Sequence, residues 1–344
     1  MKSLQSYFEF AIKKNASDMH LIAGESPALR IDGELKQIKS DPLPTKDLEI
    51  AVFSILSKDQ KEKYLENLEL DIAHQVGETR FRINIHQQEG KIAIAARLIP
   101  KNIPTPQELR FEEPLIGFTN LLDGLVLVVG PTGCGKSTTI ASMIQQINKT
   151  RKAHIVTVED PIEFMFENDK SIIEQREVGN DTHSFANALK HVLRQDPDII
   201  LVGEMRDPET IATVLTAAET GHLVFSTLHT ATAAESVERI VDVFEGAKQK
   251  QILTQLSAVL RGVVAQQLIP GIDGKRTVAR EILINTPAVA NLIRENNIQQ
   301  IPSSMQTSAK EGMQTFDTSV KQLLKEELID EQTAKSRTGR MKKI

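Results

Sequence analysis

The sequence predicts an α/β protein in two parts, a doubly wound parallel-sheet core preceded by a smaller α+β domain. Three observations carry this expectation. Leu125–Val129 is a short β-branched run, the pattern of a buried strand, and it leads into a glycine-rich loop and then a helical stretch. Strand patterns recur at 125–129, 154–159, 198–203 and 222–228 with helical patterns between them, the alternation of a doubly wound sheet. Residues 1–98 instead show short strands separated by Gly77 and Gly90, with few helices, which reads as α+β.

In chain order, Leu4, Phe8, Ala11 and Ile12 have helical spacing, which predicts an amphipathic helix over residues 3–15. Ser17–Ile22 reads as a strand, and Leu29–Ile38 as a hairpin turning at Asp32-Gly33. Leu48–Leu65 is helical in pattern, interrupted near Ser57. Leu70–Val76, Thr79–His86 and Lys91–Leu98 complete the first domain as strands. Residues 99–111 contain Pro100, Pro104 and Pro106, too dense for a helix or an inner strand, and read as an extended linker. The core then runs over 112–344. Beyond residue 245 the pattern reads as mostly helical, broken by a hairpin about Pro270–Arg276, and the polar, basic Lys335–Ile344 reads as a fraying end.

Composition narrows the function classes. With 40% apolar and 25% charged residues the balance is that of an ordinary globular protein. A net charge of −5 offers no basic footprint for nucleic acid, and 4% aromatic residues without tryptophan argue against a base-stacking platform. No apolar run reaches the roughly 20 residues of a membrane span. There is no charged-then-apolar leader, and one cysteine excludes an internal disulfide or a four-cysteine metal site. The expected compartment is the cytoplasm.

The chemistry starts at Gly130–Ser137, which fits G-x-x-x-x-G-K-[ST] between a strand and a helix. Gly130, Gly133 and Gly135 permit positive φ and leave room for backbone N–H groups to wrap phosphate oxygens. With Pro131, Thr132 and Cys134 they form the loop. Lys136 can reach the terminal phosphates of ATP, Ser137 can ligate Mg²⁺, and Thr138 opens a helix whose N-terminus points at the anion. Cys134, at a helix N-terminus, is expected to have a lowered thiol pKa, so that it is alkylated in the free protein and protected by ATP.

Hydrolysis requires a carboxylate for the metal and another to orient water. Glu163 follows the strand Ile155–Val158, and Glu204 follows Ile199–Val202. We assign Glu204 to Mg²⁺ through water and Glu163 to water activation; the two roles could be exchanged. His222 and His229 bracket a third strand. His229, at its C-terminal end, could sense a γ-phosphate, and His222 could hold neighbouring loops. Arg82 and Arg97, in the last two strands of the first domain, could supply positive charge to a transferring phosphoryl group or be ordinary surface arginines. With no turnover the chain would be a regulatory ATP-binding module, and with a basic salt-sensitive surface it would be a nucleic-acid translocase.

Four segments together resemble the Walker A, Asp, Walker B and His boxes of the secretion-type ATPases: Gly-Pro-Thr-Gly-Cys-Gly-Lys-Ser-Thr, Val-Glu-Asp-Pro-Ile-Glu-Phe, Asp-Pro-Asp-Ile-Ile-Leu-Val-Gly-Glu-Met-Arg-Asp and Thr-Ala-Ala-Glu-Thr-Gly-His-Leu-Val-Phe-Ser-Thr-Leu-His-Thr. The match looks most like the branch that retracts type IV pili. That resemblance implies a RecA-like P-loop core with a PAS-like N-terminal domain. It further implies a homo-hexameric, Mg²⁺-dependent ATPase that powers pilus retraction and twitching, peripheral to the inner membrane on a pilus platform protein. A paralogous pilus ATPase is a possible partner, and no nucleic acid is expected. The resemblance also supports catalytic roles for Glu163, Glu204, His222 and His229 and nucleotide contacts for Arg82 and Arg97. The four-cysteine zinc motif of extension and secretion members is absent. The retraction branch's Ala-Ile-Arg-Asn-Leu-Ile-Arg-Glu element reads Ala288-Val289-Ala290-Asn291-Leu292-Ile293-Arg294-Glu295, with Ala290 replacing an arginine; Val289, Leu292 and Ile293 keep an apolar stripe.

Overall fold

The structure, a computed structural model, describes residues 3–31, 33–77, 79–99 and 102–338. Asp32, Pro100 and the last part of the expected basic end, 339–344, lie outside the described residues. The chain divides after Asn102 into two units.

In the first unit α1 (Leu4–Lys13) precedes strands β1 (Asp18–Ile22), β2 (Ala28–Ile31) and β3 (Glu34–Gln37). Helices α2 (Thr45–Phe53) and α3 (Lys58–Asn67) follow, then β4 (Glu69–Val76), β5 (Thr79–Gln88) and β6 (Lys91–Ile99). The helical stretch breaks at Ser57 because Ser57 and Gln60 form a capping box that starts α3. The six strands form one antiparallel sheet in the order β3-β2-β1-β6-β5-β4. Alternation sends Met19, Leu21, Phe81, Ile83 and Ile85 inward against Leu4 and Phe8 of α1 and Leu48 and Val52 of α2. The opposite face carries a cross-strand row, Arg30↔Asp18↔Arg97↔Arg82.

The second unit contains α4 (Glu113–Thr119), β7 (Gly124–Val129), α5 (Lys136–Thr150), β8 (His154–Glu159), β9 (Ile172–Glu177), α6 (Phe185–Val192) and β10 (Ile199–Val202). It continues through α7 (Pro208–Glu219), β11 (Leu223–Leu228), α8 (Ala233–Asp242), α9 (Ala247–Val259), β12 (Leu260–Pro270) and β13 (Arg276–Ile284). Four helices close it: α10 (Pro287–Arg294), α11 (Ile301–Thr307), α12 (Phe316–Lys325) and α13 (Glu331–Thr338). The seven-stranded sheet has the order β13-β12-β7-β11-β10-β8-β9, parallel except for the edge strand β13. Both faces are covered. Leu125, Leu127, Val156, Ile200 and Val224 meet α6 to α10 on one side, while Val126, Val128, Ile199 and Phe225 meet α4 and α5 on the other. All six residues of β7 are buried, as its uninterrupted apolar run requires.

One expectation is refined and two are corrected. The region after residue 245 is mostly helical and is broken by a hairpin that turns between Pro270 and Arg276, as expected, but the hairpin is longer than its turn suggested. Its strands have eleven and nine residues, and β12 lies beside β7 inside the sheet. The proline-rich segment is not extended throughout. Thr105 and Glu108 cap each other, and Leu109 N–H donates to the Thr105 carbonyl, so Pro106 starts a helical turn, where its missing donor costs nothing. Lys335–Thr338 is the end of α13 rather than frayed chain. Arg280, 1% exposed, donates to the carbonyls of Leu109 and Arg110 at 2.9 and 3.2 Å and pairs with Glu112 at 3.0 Å, fastening the start of this unit to β13. Val289 and Ile293 are fully buried on α10, so the apolar stripe keeps its packing role despite Ala290.

Candidate functional site

The parallel strands β7, β11, β10 and β8 lie side by side, and at their carboxyl ends stand the glycine loop, His229, Glu204 and the Glu163 loop in that order. Neighbouring strands are about 4.8 Å apart, so Glu204 starts about 10 Å and the Glu163 segment about 14 Å to one side of the loop's root. Gly130 leaves β7 at φ 143°, and a Cβ there would stand 2.4 Å from the Gln266 carbonyl oxygen, so only glycine fits. Gly133 and Gly135 are also left-handed, at φ 77° and 88°. Pro131, Thr132 and Gly133 are exposed, and Gly135, Lys136, Ser137 and Thr138 are half-buried at the start of α5. No side chain caps that helix, which leaves its first N–H groups and its dipole available to an anion. The Lys136 ammonium donates to the Gly130 carbonyl at 2.8 Å and to that of Pro131 at 3.3 Å, across the loop.

Glu204 is 9% exposed and pairs with Arg206 and, at 3.2 Å, with His229 Nε2. Its position is fixed from below: the Gly203 N–H donates to the Val158 carbonyl at 2.8 Å, and Thr227 Oγ1 donates to the Gly203 carbonyl at 2.6 Å. Glu163 is exposed between buried Ile162 and Phe164, which pin its loop like two anchors. Strand β9 holds the same loop. Glu177 accepts from the Ile162 N–H at 3.1 Å, and Gln175 bonds the Phe164 carbonyl at 2.8 Å and the Phe166 N–H at 2.9 Å. Glu159 lies behind Glu163 with its carboxyl oxygen 2.6 Å from Thr157 Oγ1. Desolvation pushes that carboxyl up to about 7.

The structure thus brings Gly130–Thr138, Glu163, Glu204 and His229 to one end of one sheet. His222 is not among them. It precedes the six-residue β11, about 20 Å from that strand's other end, and its Nδ1 lies 2.9 Å from the Ala217 carbonyl oxygen and 3.1 Å from Thr220 Oγ1. It closes the turn from α7 into β11. Arg82 and Arg97 face each other on adjacent strands of the first unit, with Arg97 2.8 Å from Asp18 and Arg82 3.9 Å from Asp71. The expectation for Cys134 is corrected. Its side chain is 3% exposed and faces Gly130, and burial raises its thiol pKa despite the nearby Lys136 and the helix start. Sequence reasoning missed Gln175, Glu177 and Gln266, whose partners are far away in the chain. The signal for Gln266 was a polar residue inside the apolar run Val263–Ile269.

A glycine-rich loop between a buried parallel strand and an uncapped helix, with carboxylates at the ends of the second and third strands to one side, defines a P-loop protein of the RecA-like type. The chain belongs to the family described as Type II/IV secretion system protein, whose profile matches residues 1–338. It is 46% identical over 329 residues to the type IV pilus retractation ATPase PilT of Pseudomonas aeruginosa, covering 95% of this chain and 96% of that one. It is also 46% identical over 318 residues to a twitching motility protein of Neisseria gonorrhoeae, covering 92% and 85%. Among solved structures, that of the pilus retraction motor PilT with bound ADP matches with a TM-score of 0.92 at 45% identity over 98% of each chain. No helix among the described residues is long and apolar enough to cross a membrane.

Proposed function

We propose that this protein is an ATP-hydrolysing motor that powers type IV pilus retraction. The observation that carries the reading is that the glycine loop, Glu204 and Glu163 stand at the same end of one parallel sheet in a chain so similar to a retraction motor over its whole length. In this reading the backbone of Gly130–Gly135 and the N-terminus of α5 hold the phosphates. Lys136 moves from the loop carbonyls to the terminal phosphate, and Glu163 takes a proton from the attacking water. His229 couples the state of the terminal phosphate to Glu204. Arg82 and Arg97 add positive charge to the transferring group.

A magnesium ion suits the donors present. Among the described residues no group of three or more His, Cys, Asp or Glu could hold a metal alone. Mg²⁺ accepts one or two protein oxygens, here Ser137 Oγ and, through water, Glu204, and takes the rest from phosphate and solvent. When bound, it would neutralise charge developing on the phosphoryl group.

The working assembly in this proposal is a homo-hexamer at the cytoplasmic side of an inner-membrane pilus platform. Glu163→Gln should bind ATP like the parent and lose phosphate release by about 100-fold or more, the usual worth of a positioned base. Parent-like turnover would remove Glu163 from that role. In cells, deletion of the gene should leave hyperpiliated, non-twitching bacteria; bald cells would point to extension instead.

A further inference from the structure

The middle of β12 carries a residue that the strand's surroundings do not favour. Gln266 is 1% exposed in an inner strand, flanked by Ala265 and Gln267 after two buried valines. An amide buried this way costs free energy unless both of its ends are bonded. Both are. Nε2 donates to the Cys134 carbonyl at 2.8 Å, and Oε1 accepts from Thr139 Oγ1 at 2.9 Å. One side chain therefore ties the crown of the glycine loop to the first turn of α5. The loop is also built around this residue. A Cβ on Gly130 would meet the Gln266 backbone at 2.4 Å, and one on Gly135 would come within 3.4 Å of its Nε2.

The consequence follows from peptide geometry. In a trans peptide the carbonyl of one residue and the N–H of the next point in opposite directions. Drawing the Cys134 carbonyl down onto Nε2 fixes that peptide plane and turns the Gly135 N–H away from the sheet, toward the face where a phosphate would lie. Glycines at 133 and 135, both at positive φ, leave the plane free to rotate unless something holds it. We propose that Gln266 is a positioning residue for nucleotide, holding the Gly135 amide in its phosphate-binding orientation before ligand arrives. This rests on the reading of the loop as a nucleotide site. The phosphate contact it prepares exists in ground and transition states alike, so its loss should appear in affinity rather than in turnover.

The test uses the full chain and three variants. Gln266→Met conserves volume and removes both bonds. Gln266→Asn keeps an amide that falls one methylene short of Cys134. Thr139→Val removes only the Oε1 contact. ADP affinity is measured by titration calorimetry, and KM and kcat for ATP by phosphate release. Both Gln266 variants should raise the ADP Kd and the KM about tenfold while kcat at saturation stays within about twofold, since a peptide plane released from a bond of ordinary strength keeps the binding orientation about a tenth of the time and Kd rises by the inverse of that fraction. Thr139→Val should shift Kd by less than either. If one Gln266 variant does not fold, the other carries the comparison. ADP affinity within about twofold of the parent in a folded Gln266 variant, or a Thr139→Val loss as large, would overturn the proposal. A parent that binds no nucleotide would sink the reading of the site itself, a separate result.

Discussion

Glu159 illustrates how much a single carboxyl can set. Its pKa rises from 4.5 in an unfolded chain to about 7 here because the group is desolvated. Folding therefore takes up a proton between those two values. Its contribution to stability is fully present below about 4.5, is lost as pH rises toward about 7, and is flat above that. Glu159→Gln should flatten this part of a curve of urea midpoint against pH; an unchanged slope would show that the burden lies elsewhere. Cys134 makes the opposite point to its sequence reading. Buried against Gly130, it should resist N-ethylmaleimide in the native protein and react fully in denaturant. Fast native labelling would contradict the packing around it. The loop Gly130–Ser137 was legible because its chemistry is written in contiguous residues. Gln266 was not, since its bond to Cys134 spans 132 positions, nor was Glu177, fifteen positions from Ile162.

Elements with internal punctuation were read correctly. Ser57 with Gln60 marks the start of α3, and the alternation in β5 places Phe81, Ile83 and Ile85 on the inner face. Strand β12 had no such marks. It follows α9 directly, Val259 passing to Leu260 with no glycine or proline between, and a strand buried on both faces shows no period of two. The unit's first turn depends on Arg280 of β13, whose guanidinium satisfies two carbonyls and Glu112 and lies 5.4 Å over the Phe111 ring. Arg280→Met strands all three acceptors and should cost about 3 kcal/mol, read from urea unfolding. A loss under about 1 kcal/mol would mean that the segment is held by its own capped turn.

For the whole molecule, the fold class was visible in the alternation of strands and helices. The placement of β12, β13 and β9 was not, because sheet order depends on pairings distant in the chain. If the working unit is a ring, specific ATPase activity should climb with protein concentration until assembly is complete. A rate strictly proportional to concentration, with a monomer by sedimentation, would count against that assembly. One feature of the sheet bears on how such a machine could survive its own work. Strand β7 pairs with β11 on one side and β12 on the other over nearly its full length, and the loop grows directly from its end. A pull delivered there loads two ladders of backbone hydrogen bonds in shear at once, so that they yield together or not at all. The root of the loop is thus a mechanical anchorage, and any compliance needed for a power stroke has to come from elsewhere in the chain.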